Sequence, residues 1–157
     1  MIGARRLLVS ARDPGAAHHL GAVIAEAQRA GGWELVVVAA EPAHGIWAGQ
    51  GLPSLTRWPH EPFEAAGEAG AVASLRAAEQ LVVETAPDAI LTGVSGPAAG
   101  VDEALLATAG SIPTFALQDF WGYANPALGA LADTYLGIDD EAVRLTAALH
   151  GAAAVAV

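Results

Sequence analysis

Apolar positions along this 157-residue chain follow two rhythms. Short runs that are apolar throughout, such as Leu35-Val36-Val37-Val38-Ala39-Ala40, have the character of strands covered by helices on both faces. Longer stretches in which apolar residues recur every three or four positions have the character of amphipathic helices. Taken in order, the pattern predicts strands over residues 6–11, 34–40, 53–58, 88–94, 113–118, 133–138 and 152–157. Between them it predicts helices over 16–30, 43–51, 64–86, 97–109 and 140–150. Gly31-Gly32 ends the first helix and Pro87 ends the third, while prolines on both sides of the third strand confine it to an edge-like position.

Regular alternation of strand and helix argues for parallel strands joined by right-handed crossovers. The expected fold is therefore α/β: a three-layer Rossmann-like domain with a mainly parallel sheet of about six to seven strands, spanning residues 1–157 as one domain. In such sheets ligands sit at the carboxyl ends of the strands, where the strand order reverses. A reversal between the first and fourth strands is expected, because both lead into polar loops.

Composition narrows the chemistry. A domain of this length buries roughly 70% of the surface of its unfolded chain and needs no covalent staple. There is no cysteine, so thiolate catalysis and zinc–cysteine sites are excluded. Seventeen acids stand against seven basic residues, all of them arginine, for a formal net charge of −10. That balance argues against a nucleic-acid partner, and the lack of lysine removes Schiff-base chemistry and the phosphate-gripping lysine of a P-loop. No apolar run approaches the roughly 20 residues that span a bilayer, and the N-terminal Arg5-Arg6 is not followed by the apolar core of a signal peptide. The expectation is a cytoplasmic, acidic protein without a membrane span.

Three loops carry the candidate chemistry. Arg12-Asp13-Pro14-Gly15-Ala16-Ala17, after the first strand, has the shape of an anion-binding turn, but it lacks both the three spaced glycines of the dinucleotide fingerprint and the P-loop glycine–lysine pair. His18 and His19 follow on the helix about 100° apart, so they cannot chelate one metal and at most one faces the site. The second loop, Thr92-Gly93-Val94-Ser95-Gly96-Pro97, offers hydroxyls and N–H donors at a helix start, with Pro97 as the first helical residue and Ser95 either a ligand or an N-cap. The third, Gln118-Asp119-Phe120-Trp121-Gly122-Tyr123-Ala124-Asn125, concentrates an acid, three aromatics and an amide. Its aromatics either stack on a sugar or base, or pack in the core. Asp13, His18 and Asp119 are the candidate catalytic residues. Arg12, Gly15, His19, Thr92, Gly93, Ser95, Gly96, Gln118, Trp121, Tyr123 and Asn125 are the candidate ligand contacts, and no metal site is expected. Glu41, His44, His60 and Glu61 rank below these, and Asp139-Asp140-Glu141 reads more readily as a helix cap than as a cation site.

The segments around Arg12-Asp13-Pro14-Gly15, Asp88-Ala89-Ile90-Leu91-Thr92-Gly93 and Gln118-Asp119-Phe120-Trp121 together resemble the N-terminal half of GT-B-fold proteins. That group holds glycosyltransferases and UDP-N-acetylglucosamine 2-epimerases. The resemblance follows element order along nearly the whole chain, although the epimerases' histidine-and-acid pattern after the fifth strand is replaced here by Gln118-Asp119-Phe120-Trp121. It implies a domain that shapes the acceptor side of a site, with a second domain supplying most contacts to a nucleotide-sugar. A nucleotide-sugar is thus the cofactor it brings into view. Three readings stay open: an enzyme acting on a glycosylated or phosphorylated small molecule; a binding subunit that works as a homodimer or with a partner donor-domain protein; and a structural domain without activity.

Overall fold

The computed structural model describes residues 4–52 and 54–157. Pro53, where the predicted third strand begins, and residues 1–3 lie outside them. In chain order the elements are β1 (Arg5–Ala11), α1 (Pro14–Ala30), β2 (Trp33–Ala39), α2 (Ala43–Gly49), β3 (Leu55–Arg57), α3 (Ala69–Thr85), β4 (Ala89–Thr92), α4 (Val101–Thr108), β5 (Thr114–Leu117), β6 (Thr134–Gly137), α5 (Asp140–His150) and β7 (Ala154–Ala156). The seven strands form one sheet in the order β3-β2-β1-β4-β5-β6-β7, and every neighbouring pair is parallel.

Two apolar layers hold the sheet. On one face Val9, Val37 and Leu91 pack against Ala17, Leu20 and Ile24 of α1 and Trp47 of α2. On the other, Leu8, Val38 and Ile90 meet Ala78 and Val82 of α3 and Val101 and Leu105 of α4. Successive side chains of one strand therefore serve opposite layers, which is why β1 and β2 are apolar without alternation. Each fully buried Val, Leu or Ile contributes about 1.5–3 kcal/mol of transfer free energy. Trp47 also donates its indole N–H to the Ala17 carbonyl at 2.8 Å, which fastens α2 to α1.

The order in which strands are added reverses between β1 and β4, two neighbouring inner strands that run parallel, with Ser10 opposite Thr92. β1 leads to α1 on one face and β4 leads to α4 on the other, so their loops part and leave a crevice at the carboxyl edge. β3 is the edge strand that its flanking prolines predict. Gly31 caps α1 with φ of 71° and donates its N–H to the Ala27 carbonyl, as the glycine pair predicts.

Several boundaries differ from the periodicity. α1 begins at Pro14, two residues earlier than expected, because proline is favoured in a first helical turn. α3 begins only at Ala69, and residues 64–68 stay outside it, next to Gly67 and Gly70. α4 begins at Val101 rather than at Pro97. Residues 93–100 remain irregular because Ala99 bridges to Phe63 in an antiparallel pair, with both N–H groups donating across it. Pro97 is therefore not the first residue of a helix, and Ser95 does not cap one.

Candidate functional site

The crevice between the three loops is a cleft of about 380 Å³ lined by Asp13, Val94, Gly96, Pro97, Asp119, Phe120 and Tyr123. Asp13 stands at the N-cap of α1, yet its carboxylate caps no amide of that helix. It accepts a long 3.4 Å bond from the Gly96 N–H across the cleft. Asp119 leaves the end of β5 and lies over the first turn of α1: a Cβ on Gly15 would fall 1.9 Å from its Oδ2. Gly96 is under the same constraint from Tyr123, whose hydroxyl oxygen is 1.9 Å from where a Gly96 Cβ would be. These two glycines let a carboxylate and a phenol come down onto the backbone. Burial and the neighbouring Glu103 raise the Tyr123 pKa above its ordinary value, so the phenol enters chemistry as a neutral O–H donor.

Beneath the cleft lies a buried polar cluster. Ser10 Oγ donates to Asp102 Oδ1 at 2.6 Å and Ser95 Oγ donates to Asp102 Oδ2 at 2.9 Å. Glu103 accepts from the Gly100 N–H at 2.8 Å. Arg12 donates through Nη2 to the Ala98 carbonyl at 2.7 Å, and Asn125 donates to the carbonyls of Ser95 and Ala98. Residues 95–98 are thereby tied down from three directions, which fixes the Gly96 N–H and the cleft wall. Desolvation raises the pKa of Asp102 against the pull of the two serine hydroxyls. It pushes Glu103 up to about 8, with the adjacent Asp102 adding to the rise and Arg12 opposing it.

The structure brings Asp13, Gly96, Asp119 and Tyr123 together around the cleft, with Gly15 beneath Asp119. Arg12, Ser95 and Asn125 form the supporting layer just described. Thr92 is fully buried, Gly93 packs its α-carbon on Ala16, and Gln118 is buried with its amide donating to the Tyr123 carbonyl and to Thr146. Trp121 is exposed, donates to Asp139 at 2.9 Å, and borders a shallow groove of about 170 Å³ with Asp119, Phe120 and Ile138. His18 and His19 are exposed on the second turn of α1 and do not line the cleft. Glu41 accepts from the Gly45 N–H, faces His44 and Arg57, and does not line this cleft. Asp139 caps α5 by accepting from the Ala142 N–H, and among the described residues no three acidic or histidine side chains are grouped to hold a metal. No helix of the described residues is long and apolar enough to cross a membrane.

Val94, Pro97 and Phe120 of the lining, and the Ser10–Asp102–Glu103 cluster, are the surroundings of the cleft that sequence reasoning misses. Adjacent acids in a first helical turn read as an ordinary solvated cap. Only the antiparallel bridge at Ala99 and the packing of α4 bury them.

This architecture is the Rossmann-like half domain of GT-B proteins. Among solved structures with the same fold is MnaA of S. aureus in complex with UDP, with a TM-score of 0.71 and 13% identity over 92% of this chain. The UDP-GlcNAc 2-epimerase of Neisseria meningitidis bound to UDP-GlcNAc gives 0.70 and 9% over 96%, and MurG of Acinetobacter baumannii gives 0.63 and 17% over 85%. The chain spans 42%, 45% and 41% of those three proteins, less than half of each. At these identities the likeness is one of fold. No protein-family model matches the sequence, and no curated protein matches it by sequence.

Proposed function

We propose that the chain binds a sugar-bearing small molecule in the cleft between β1, β4 and β5, and that Asp13, Asp119 and Tyr123 touch it. The observation that carries this reading is the convergence of two carboxylates, a neutral phenol and the exposed ring of Phe120 on one cavity at the switch point of the sheet. Aromatic faces and hydroxyl-accepting carboxylates are what sugars bind to. The fold it shares with proteins solved in complex with UDP and UDP-GlcNAc supports the same class of ligand.

In the enzymatic form of this reading Asp119 accepts a proton from a ligand hydroxyl and Tyr123 donates a hydrogen bond to an oxygen that gains charge. Asp13 and the Gly96 N–H orient the ligand from the opposite wall. His18, exposed and outside the lining, has no step in it. A second reading is acceptor recognition, with donor contacts supplied by another domain; the chain's span of under half the length of its structural neighbours favours it.

The test is direct binding of UDP-GlcNAc, UDP and N-acetylglucosamine, followed by calorimetry and by amide shifts of Gly15 and Gly96. Asp119→Asn and Asp13→Asn should weaken the ligand that binds by about tenfold or more while leaving the melting temperature within a few degrees. Undiminished binding in both variants, or shifts confined to another face, would refute the assignment.

A further inference from the structure

The cleft contains two carboxylates and, among its lining residues, no arginine or histidine. Two of the backbone N–H groups that an anion would use at this edge, those of Gly96 and Gly100, already have acceptors from the protein itself. The first turn of α1, where partial positive charge collects, lies under the Asp119 carboxylate at Gly15. The Gly96 N–H points to Asp13, and the Gly100 N–H before α4 is taken by Glu103. Arg12, the arginine of these loops, is 7% exposed and donates inward to the Ala98 carbonyl. A phosphate entering here would meet two like charges, and the nearest cation, Arg12, lies behind Asp13 with its Nε 4.0 Å from Asp13 Oδ1. A group of opposite charge would meet Asp13 on one wall and Asp119 on the other. Phe120, 69% exposed and part of the same lining, presents the kind of ring face that attracts a cation. The neutral Tyr123 hydroxyl, which makes no hydrogen bond among the described residues, is left to serve a ligand oxygen.

We propose that this cleft selects a protonated amine carried on a hydroxyl-bearing small molecule, an unacetylated amino sugar being the simplest case, and rejects a phosphate at the same place. The inference rests on the cleft being the ligand site. The ammonium lies between Asp13 and Asp119 against Phe120, and ring hydroxyls reach Tyr123. Any phosphate of a larger ligand lies outside the cleft.

The experiment is a charge series on one scaffold: glucosamine, N-acetylglucosamine and glucose 6-phosphate, titrated at matched ionic strength while the Gly15 and Gly96 amides are followed by NMR. Glucosamine should bind about tenfold more tightly than N-acetylglucosamine, a difference of about 1.4 kcal/mol, and glucose 6-phosphate most weakly. The preference should shrink as salt rises and vanish in Asp119→Asn, whose melting temperature reports that it is folded. If N-acetylglucosamine or glucose 6-phosphate shifts the same amides with equal or greater affinity, the amine selection is wrong and the cleft remains a sugar site. If none of the three, nor UDP-GlcNAc, moves those amides, both readings fall.

Discussion

Replacing Glu103 by glutamine should change how stability depends on pH more than stability itself. Glu103 is 3% exposed, its Oε2 accepts from the Gly100 N–H, and the groups it senses are Asp102 beside it and Arg12 across the cluster. Its pKa is about 8 in the fold against an ordinary 4.5, so between those values the native state holds a proton that the unfolded chain has released. Stability therefore falls as pH rises through that window and levels off above it. Each tenfold change in proton affinity is worth about 1.4 kcal/mol. Asp102, buried beside it, titrates with it and is raised as well, so the pair together costs the fold on the order of a few kcal/mol as pH rises through the window. Glutamine keeps an oxygen for the Gly100 N–H and has no proton to lose. Urea unfolding of both proteins at about pH 5 and about pH 8 should show similar stability at the lower pH and a Glu103→Gln variant several kcal/mol more stable at the higher. A difference between the two proteins that is the same at both pH values would refute the argument that burial holds this carboxyl protonated.

Two further substitutions probe the wall of the cleft and the packing behind it. Gly96→Ala places a methyl group where the Tyr123 hydroxyl now lies; the phenol should swing out, ligand affinity should drop about tenfold, and stability should fall by about 1–2 kcal/mol, so a crystal structure with Tyr123 unmoved would contradict the close approach. Trp47→Phe deletes the fully buried indole N–H that bonds the Ala17 carbonyl at 2.8 Å; thermal or urea unfolding should show a loss of about 2–3 kcal/mol, and a loss below about 0.5 kcal/mol would mean that α2 is held to α1 by other contacts.

How much of the site could be read in the chain varies from loop to loop. Asp13, Asp119 and Tyr123 stand in loops that directly follow predicted strands, and a parallel sheet sends all such loops to one edge, so their meeting was a consequence of element order. The loop after β4 was harder. Its serine, glycines and proline look like the start of a helix, and local preference alone places that start at Pro97. The competing interaction is the pairing of Ala99 with Phe63, from a segment 36 residues away, which delays the helix to Val101 and turns Ser95 inward to Asp102. The aromatic loop after β5 divides in a way no pattern forecasts: Phe120 and Trp121 are exposed, whereas Tyr123 is partly buried over Gly96.

By itself the sequence determined what depends on periodicity and on single residues: the alternation of strand and helix, the parallel doubly wound sheet, the edge position of the strand between prolines, the glycine stop of α1, and the absence of any lysine or cysteine chemistry. These follow because a strand covered on both faces and an amphipathic helix leave different local signatures. The tertiary structure alone decided which polar groups face the cleft and which lie beneath it. Burial of Asp102 and Glu103, the use of Arg12 as an internal brace, and the seating of Asp119 on Gly15 depend on contacts between residues far apart in the chain. A side chain's charge state and availability are set by everything packed around it, and that information is spread over the whole fold.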